Sequence, residues 1–252
     1  MTVHFETDGP VATVTIDRPE VANAVDRPTA EALSDAFRRF ARDDSLSVAV
    51  LTGAGGTFCA GADLKAAQSG DPERMSRVAP DGDGPLGPTR MLLPKPAIAA
   101  VEGHAVAGGL ELAIWCDLRV AAEDAVFGVY CRRWSIPLMD GGTVRLTRLL
   151  GHSHALDLIL TGRGVSGEEA HLMGLANRLV PKGQALPAAL EIAHQLAELP
   201  QAALRSDRLS SYEQWPLTIP DALALEYRYG ATALATGEVA TGLERYAGGE
   251  WR

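Results

Sequence analysis

Short β-branched runs that break at proline or glycine and give way to helical spacing constrain this chain most. Val11-Ala-Thr-Val-Thr-Ile16 ends at Asp17-Arg-Pro19, and apolar residues then recur at helical spacing from Pro28 to Arg42. Leu46 to Leu51 breaks at Gly53-Ala-Gly55-Gly56, and Ala97 to Val101 breaks at Gly103. After Gly108-Gly109 a helical stretch runs to about Trp115, followed by the apolar run Leu118 to Ala122. Strands alternating with helices predict parallel pairing through right-handed crossovers, an α/β fold. Near residue 190 the sequence turns Ala/Leu/Glu-rich, with segments separated by Pro200, Pro216, Pro220 and Gly237. The expected organisation is a core over 1–190 with a helical unit over 191–252.

Residues 69–90 interrupt this order with Pro72, Pro80, Pro85, Pro88 and Asp81-Gly-Asp-Gly84. Such a segment is a long loop, either an active-site lid or a solvated connection. At 252 residues and 46% hydrophobic, the chain buries a substantial core without needing staples. Its three cysteines, Cys59, Cys116 and Cys131, lack CxxC spacing, which argues against a disulfide framework or zinc site and for a reducing, cytoplasmic setting. The start has no basic-then-apolar leader pattern, and no apolar run is long enough to span a bilayer. Net charge, 23 minus 32, is −9 without a Lys/Arg tract, so no nucleic-acid partner is expected. An anionic ligand would then need local basic groups and helix N-termini.

Two stretches carry more. Val50-Leu-Thr-Gly-Ala-Gly-Gly-Thr-Phe-Cys-Ala-Gly-Ala-Asp-Leu-Lys65 and Lys95-Pro-Ala-Ile-Ala-Ala-Val-Glu-Gly-His-Ala-Val-Ala-Gly-Gly-Leu-Glu-Leu-Ala113 closely resemble the crotonase superfamily, the enoyl-CoA hydratase/isomerase family. Weaker similarity runs from Asp17-Arg-Pro-Glu-Val-Ala-Asn-Ala24 to Thr161-Gly-Arg163 and beyond. The resemblance implies a ClpP/crotonase-like spiral of β/β/α repeats with a C-terminal helical oligomerisation region, assembled as a homotrimer or hexamer. It also implies an acyl-CoA thioester substrate, coenzyme A being part of it, with no metal and no separate cofactor. Neither glycine cluster fits a phosphate loop. Phe58 spoils GxGxxG from Gly53, and Gly109 stands where a P-loop needs Lys.

A thioester carbonyl attacked at the β-carbon, or stripped of an α-proton, becomes an enolate with its charge on oxygen. Two converging backbone N–H donors can hold that charge. By resemblance these are the amides of Ala62 and Gly108, the latter opening a helix whose dipole adds to the field. Glu111 lies one turn inside that helix among Leu110, Leu112, Ala113 and Ile114, where partial burial raises a carboxyl pKa towards neutrality. The family's pattern places its first catalytic glutamate there. Cys131 stands where its hydratases carry a second glutamate, either a buried inert thiol or one whose pKa Arg132 and Arg133 lower.

Asp140 precedes Gly141-Gly142-Thr143, similar to the family's start of a pocket-facing helix. It is read either as an N-cap or as a second acid/base group, as in the dienoyl-CoA isomerase branch. For substrate binding the resemblance points to Ala60, Ala62, Asp63 and Leu64, to Gly108 and Cys131, and to the Ala22 to Ala24 segment. Ala22 stands where many relatives carry Lys or Arg, while Lys65 and Arg90 are further basic candidates. His152-Ser-His154 has no acidic or cysteine partner at metal spacing, and Gly-x-Ser-x-Gly is absent. Leu223, Leu225, Leu234 and Leu243 are core or subunit-contact residues, and the resemblance favours the second. Hydration of a 2-enoyl-CoA leads the readings, ahead of double-bond isomerisation and of an acyl-CoA-binding scaffold.

Overall fold

The N-terminal strands β1 (Val3–Asp8) and β2 (Val11–Ile16) form a hairpin around Gly9-Pro10, pairing Asp8 with Val11 and Val3 with Ile16. The computed structural model describes residues 2–249, so positions 250–252 of the expected C-terminal unit lie outside the described residues. Helix α1 (Arg27–Arg42) starts where Asp26 accepts the Thr29 N–H and Pro28 sits in the first turn. It buries Leu33, Phe37 and Phe40. Phe37 meets Trp115 edge-on at 4.7 Å, a contact worth about 0.5–1.5 kcal/mol beyond its area.

Strand β3 (Val48–Gly53) is followed by α2 (Leu64–Ser69), and β4 (Ala97–Val101) by β5 (His104–Val106) and α3 (Gly108–Trp115). The next turn repeats that pattern with β6 (Leu118–Ala122), β7 (Val126–Gly128) and α4 (Gly142–Thr161). Then come β8 (Gly164–Ser166), α5 (Gly167–Leu172), β9 (Arg178–Val180) and α6 (Ala185–Ala197). A six-stranded sheet has the order β1-β2-β3-β4-β6-β9, parallel except for the hairpin, and a smaller sheet has the order β5-β7-β8. These two turns, β4-β5-α3 and β6-β7-α4, each give one strand to each sheet and then a helix, the β/β/α spiral.

Side chains alternate across the large sheet. Ala49, Leu51, Ala99 and Val101 join the main core, while Val48, Val50, Ile98, Ala100 and Val120 pack against Ala185, Ala189 and Ala193 of α6. Both faces are covered, which is why these strands read as unbroken apolar runs. The composition change near residue 190 falls inside α6. Beyond it, α7 (Gln201–Glu213), α8 (Ile219–Ala235) and α9 (Glu238–Ala247) extend the chain. Neither α8 nor α9 has a buried residue, and Leu223, Leu234 and Leu243 are exposed. Among the described residues no helix is long and apolar enough to cross a membrane.

Candidate active site

All eight residues of α3 are buried, and Glu111 is the one ionisable group among them. A short helix apolar on every side belongs inside a core, so its N-terminus opens into protein rather than solvent. The chain enters it through Ala107, whose backbone (φ 53°, ψ −124°) costs a non-glycine residue about 1–3 kcal/mol. The Ala107 N–H donates to the Gly128 carbonyl at 2.8 Å, which helps hold that conformation.

The second bend lies alongside. At Gly61 (φ 94°) an added Cβ would sit 2.8 Å from the Gly108 nitrogen, and at Gly109 one would sit 2.0 Å from the Cys59 carbonyl oxygen. Glycine is required at both places because two backbones nearly touch. Val25 clamps the outer side of this bend, donating to the Gly61 carbonyl and accepting from the Asp63 N–H. Between these bonds the Ala62 N–H has no protein acceptor, and neither has the Gly108 N–H at the helix start, among the described residues.

Ala62 and Gly108 line one cavity of about 240 Å³ together with Ala60, Leu64, Glu111, Cys131 and Asp140. Its remaining wall includes Tyr130, Trp134, Ile136 and Met139, and from the 69–90 segment Ser76, Val78, Pro85 and Leu86. That segment therefore forms part of the cavity wall. Of the positions expected from sequence to touch CoA, Ala22, Ala24, Asp63 and Lys65 are not in this wall. Ala22 supports it from behind, its carbonyl accepting the Ala60 N–H at 3.0 Å. Asp63 is buried, accepts from the Lys65 and Ala66 amides, and pairs with Arg18 at 3.0 Å, so its charge is spent on the fold.

Glu111 Oε1 accepts the Asp140 N–H at 2.8 Å and the Gly142 N–H at 2.7 Å. Burial and then the nearby Asp140 charge raise its pKa to about 7, against the pull of those amides. Asp140 is 4% exposed, and burial raises its pKa as well. Its Oδ1 accepts from Leu86 N–H at 3.0 Å and from the Thr89 hydroxyl. Asp140 is thus not the N-cap of α4. Gly141 occupies that position, and the carboxylate reaches back to the 86–89 segment. Arg145 fixes the other side, donating to the Asp140 and Thr89 carbonyls at 2.8 and 2.6 Å. The Cys131 thiol pKa is raised, by burial first and by Glu111 second, so the neighbouring arginines do not activate it.

A raised carboxyl pKa has a consequence for stability. Between about pH 4.5 and 7 the folded protein holds the Glu111 proton that the unfolded chain has released, so unfolding free energy falls as pH rises through that window. Denaturant titrations across it are expected to show a shallower decline for Glu111→Gln than for the parent. Equal slopes would remove the shift. Asp140 contributes a slope of the same sign, which the variant retains.

Residues 6–249 match a family profile described as Enoyl-CoA hydratase/isomerase. The chain is 42% identical over 214 residues to the enoyl-CoA hydratase EchA19 of Mycobacterium tuberculosis, covering 81% of this chain and 79% of that protein. It is 42% identical over 212 residues to carnitinyl-CoA dehydratase of Salmonella paratyphi A, covering 81% and 78%. Among solved structures it is similar to enoyl-CoA hydratase EchA1 from Mycobacterium marinum, with TM-score 0.91, 35% identity, and 98% of this chain and 95% of that one covered.

Proposed function

The chain belongs to the enoyl-CoA hydratase/isomerase family, and from that premise we propose that it adds water across the double bond of a 2-enoyl-CoA thioester. The thioester oxygen accepts from the Ala62 and Gly108 amides. Ionised Glu111 takes a proton from water as the water oxygen bonds to C3. The displaced electron pair runs to the thioester oxygen as an enolate, and Glu111 returns a proton to C2. The sum is a 3-hydroxyacyl-CoA and a regenerated carboxylate.

One observation carries the reading: a buried glutamate with a pKa of about 7 lines the same cavity as two unpartnered N–H groups. A base with that pKa exchanges protons efficiently near neutral pH. Because Glu111 must be ionised to activate water, kcat/KM is expected to rise as pH passes through about 7. Hydration is read by loss of conjugated-enone absorbance in 2-enoyl-CoA esters with gain of a hydroxyl. Double-bond migration without water uptake would replace hydration by isomerisation, which Cys131 favours by supplying no second carboxylate. Binding without turnover would leave an acyl-CoA scaffold.

Asp140→Asn keeps an oxygen for Leu86 and Thr89 but removes the ionisable pair. A fall in kcat of at least about 10²-fold is expected if Asp140 works as the second acid/base group. Near-normal turnover would reduce it to a wall residue. For assembly, the exposed apolar residues of α8 and α9 support a homotrimer or a dimer of trimers. The three unpaired, buried cysteines fit a reducing compartment, and we read the protein as cytoplasmic.

A further inference from the structure

The catalytic cavity is small. At about 240 Å³ it falls below the roughly 300–1,000 Å³ of ordinary ligand pockets, with room for a thioester and a short acyl group. A larger cleft of about 630 Å³ shares part of its wall with this cavity, and its apolar lining includes Met91, Leu93, Ile114, Trp115, Leu149 and Trp215. Among the described residues Met139 alone borders both spaces; Leu138 before it faces only the cleft, and Asp140 after it only the cavity. Helix α3 runs along the same boundary. Gly108 and Glu111 line the cavity, and Ile114, one turn on from Glu111, lines the cleft with Trp115.

We propose that Met139 is a gate between the two spaces, and that the enzyme's preferred substrates carry long or bulky apolar acyl groups whose tails pass Met139 into the cleft. The proposal rests on the acyl-CoA reading above. Met139 is 41% exposed and unbranched, so turning its side chain aside costs little packing. The cleft's cationic groups are already engaged. Arg145 is held by the Asp140 and Thr89 carbonyls, Arg208 by Asp117 and the Leu93 carbonyl, Arg90 by the Ala79 carbonyl, and Arg148 lies over the Trp215 ring. An uncharged tail therefore meets hydrocarbon and aromatic faces.

The test is the ratio of kcat/KM for 2-dodecenoyl-CoA to that for crotonyl-CoA. Met139→Ala is expected to raise this ratio about tenfold, and Leu149→Trp, which fills the cleft away from the catalytic groups, to lower it about tenfold. A ratio unchanged in both folded variants would overturn the gate. If the parent turns over neither ester, the proposed reaction fails while the gate is still tested by binding. Dodecanoyl-CoA should then change the parent's tryptophan emission by more than acetyl-CoA does, because the tail reaches Trp115 and Trp215 while the thioester end faces only Trp134, and Trp215→Phe should shrink that difference. An equal response to both thioesters would contradict it.

Discussion

Glu111→Gln is expected to lower kcat by about 10³-fold, within the range for a lost general acid–base group, while KM changes only a few-fold. The substitution is nearly isosteric. The amide oxygen can still accept from the Asp140 and Gly142 amides that hold Oε1 at 2.8 and 2.7 Å, so the chain entering α4 keeps its place. What disappears is the proton held near neutrality by burial. The inflection of kcat/KM near pH 7 should vanish with it. Above that pH the variant should unfold at no lower denaturant concentration than the parent, because it no longer buries an ionised carboxylate. Loss of activity with intact stability assigns a chemical role, whereas full activity would remove Glu111 from the reaction.

Gly109→Ala carries the second large effect, although Gly109 donates no proposed bond to substrate. Its added Cβ would lie 2.0 Å from the Cys59 carbonyl oxygen and 2.7 Å from the Cys59 carbonyl carbon, both main chain, so neither can rotate away. The start of α3 must back off from the 59–62 bend, separating the Gly108 and Ala62 amides. Losing one such donor costs about 10²- to 10³-fold in kcat, and overpacking adds about 1–3 kcal/mol of destabilisation. At Gly108 the nearest obstacle is the Leu86 Cδ1, the end of a flexible side chain. Gly108→Ala is therefore expected to destabilise less than Gly109→Ala. Parent-level kcat in folded Gly109→Ala would mean that the approach of the two bends is irrelevant to turnover.

Much of the sheet was legible because its buried strands read as short apolar or β-branched runs. Val11–Ile16, Ala97–Val101 and Leu118–Ala122 are strands over the ranges read from sequence. The run from Leu46 forms its strand at Val48–Gly53, because the glycine that breaks the apolar pattern still pairs, opposite Ile16. The smaller sheet was illegible: β5, β7 and β8 have three residues each, too few to display a period. Val3–Asp8 carries little strand signal because most of its residues are partly or fully exposed and the hairpin supplies its pairing.

The two bends were legible through the family resemblance, and the structure supplies the local reason for their glycines, since only glycine tolerates the contacts at 61 and 109. Glu111 stood out as one carboxylate in an apolar helix. The tie from Asp140 to Leu86 and Thr89 had no sequence signal, because it joins segments more than fifty residues apart, |i−j| being 54 and 51. The thiol at Cys131 shows the same limit. Its neighbours in sequence are arginines, but burial and Glu111 set its state.

The central claim is that the Ala62 and Gly108 amides converge on the thioester oxygen. A crystal structure with a bound enoyl-CoA or a stable thioester analogue tests it most directly. The account predicts that oxygen at about 2.7–3.1 Å from both nitrogens, with C2 and C3 beside the Glu111 carboxylate. A thioester oxygen paired with solvent or a side chain, with either amide turned away from it, would contradict the account.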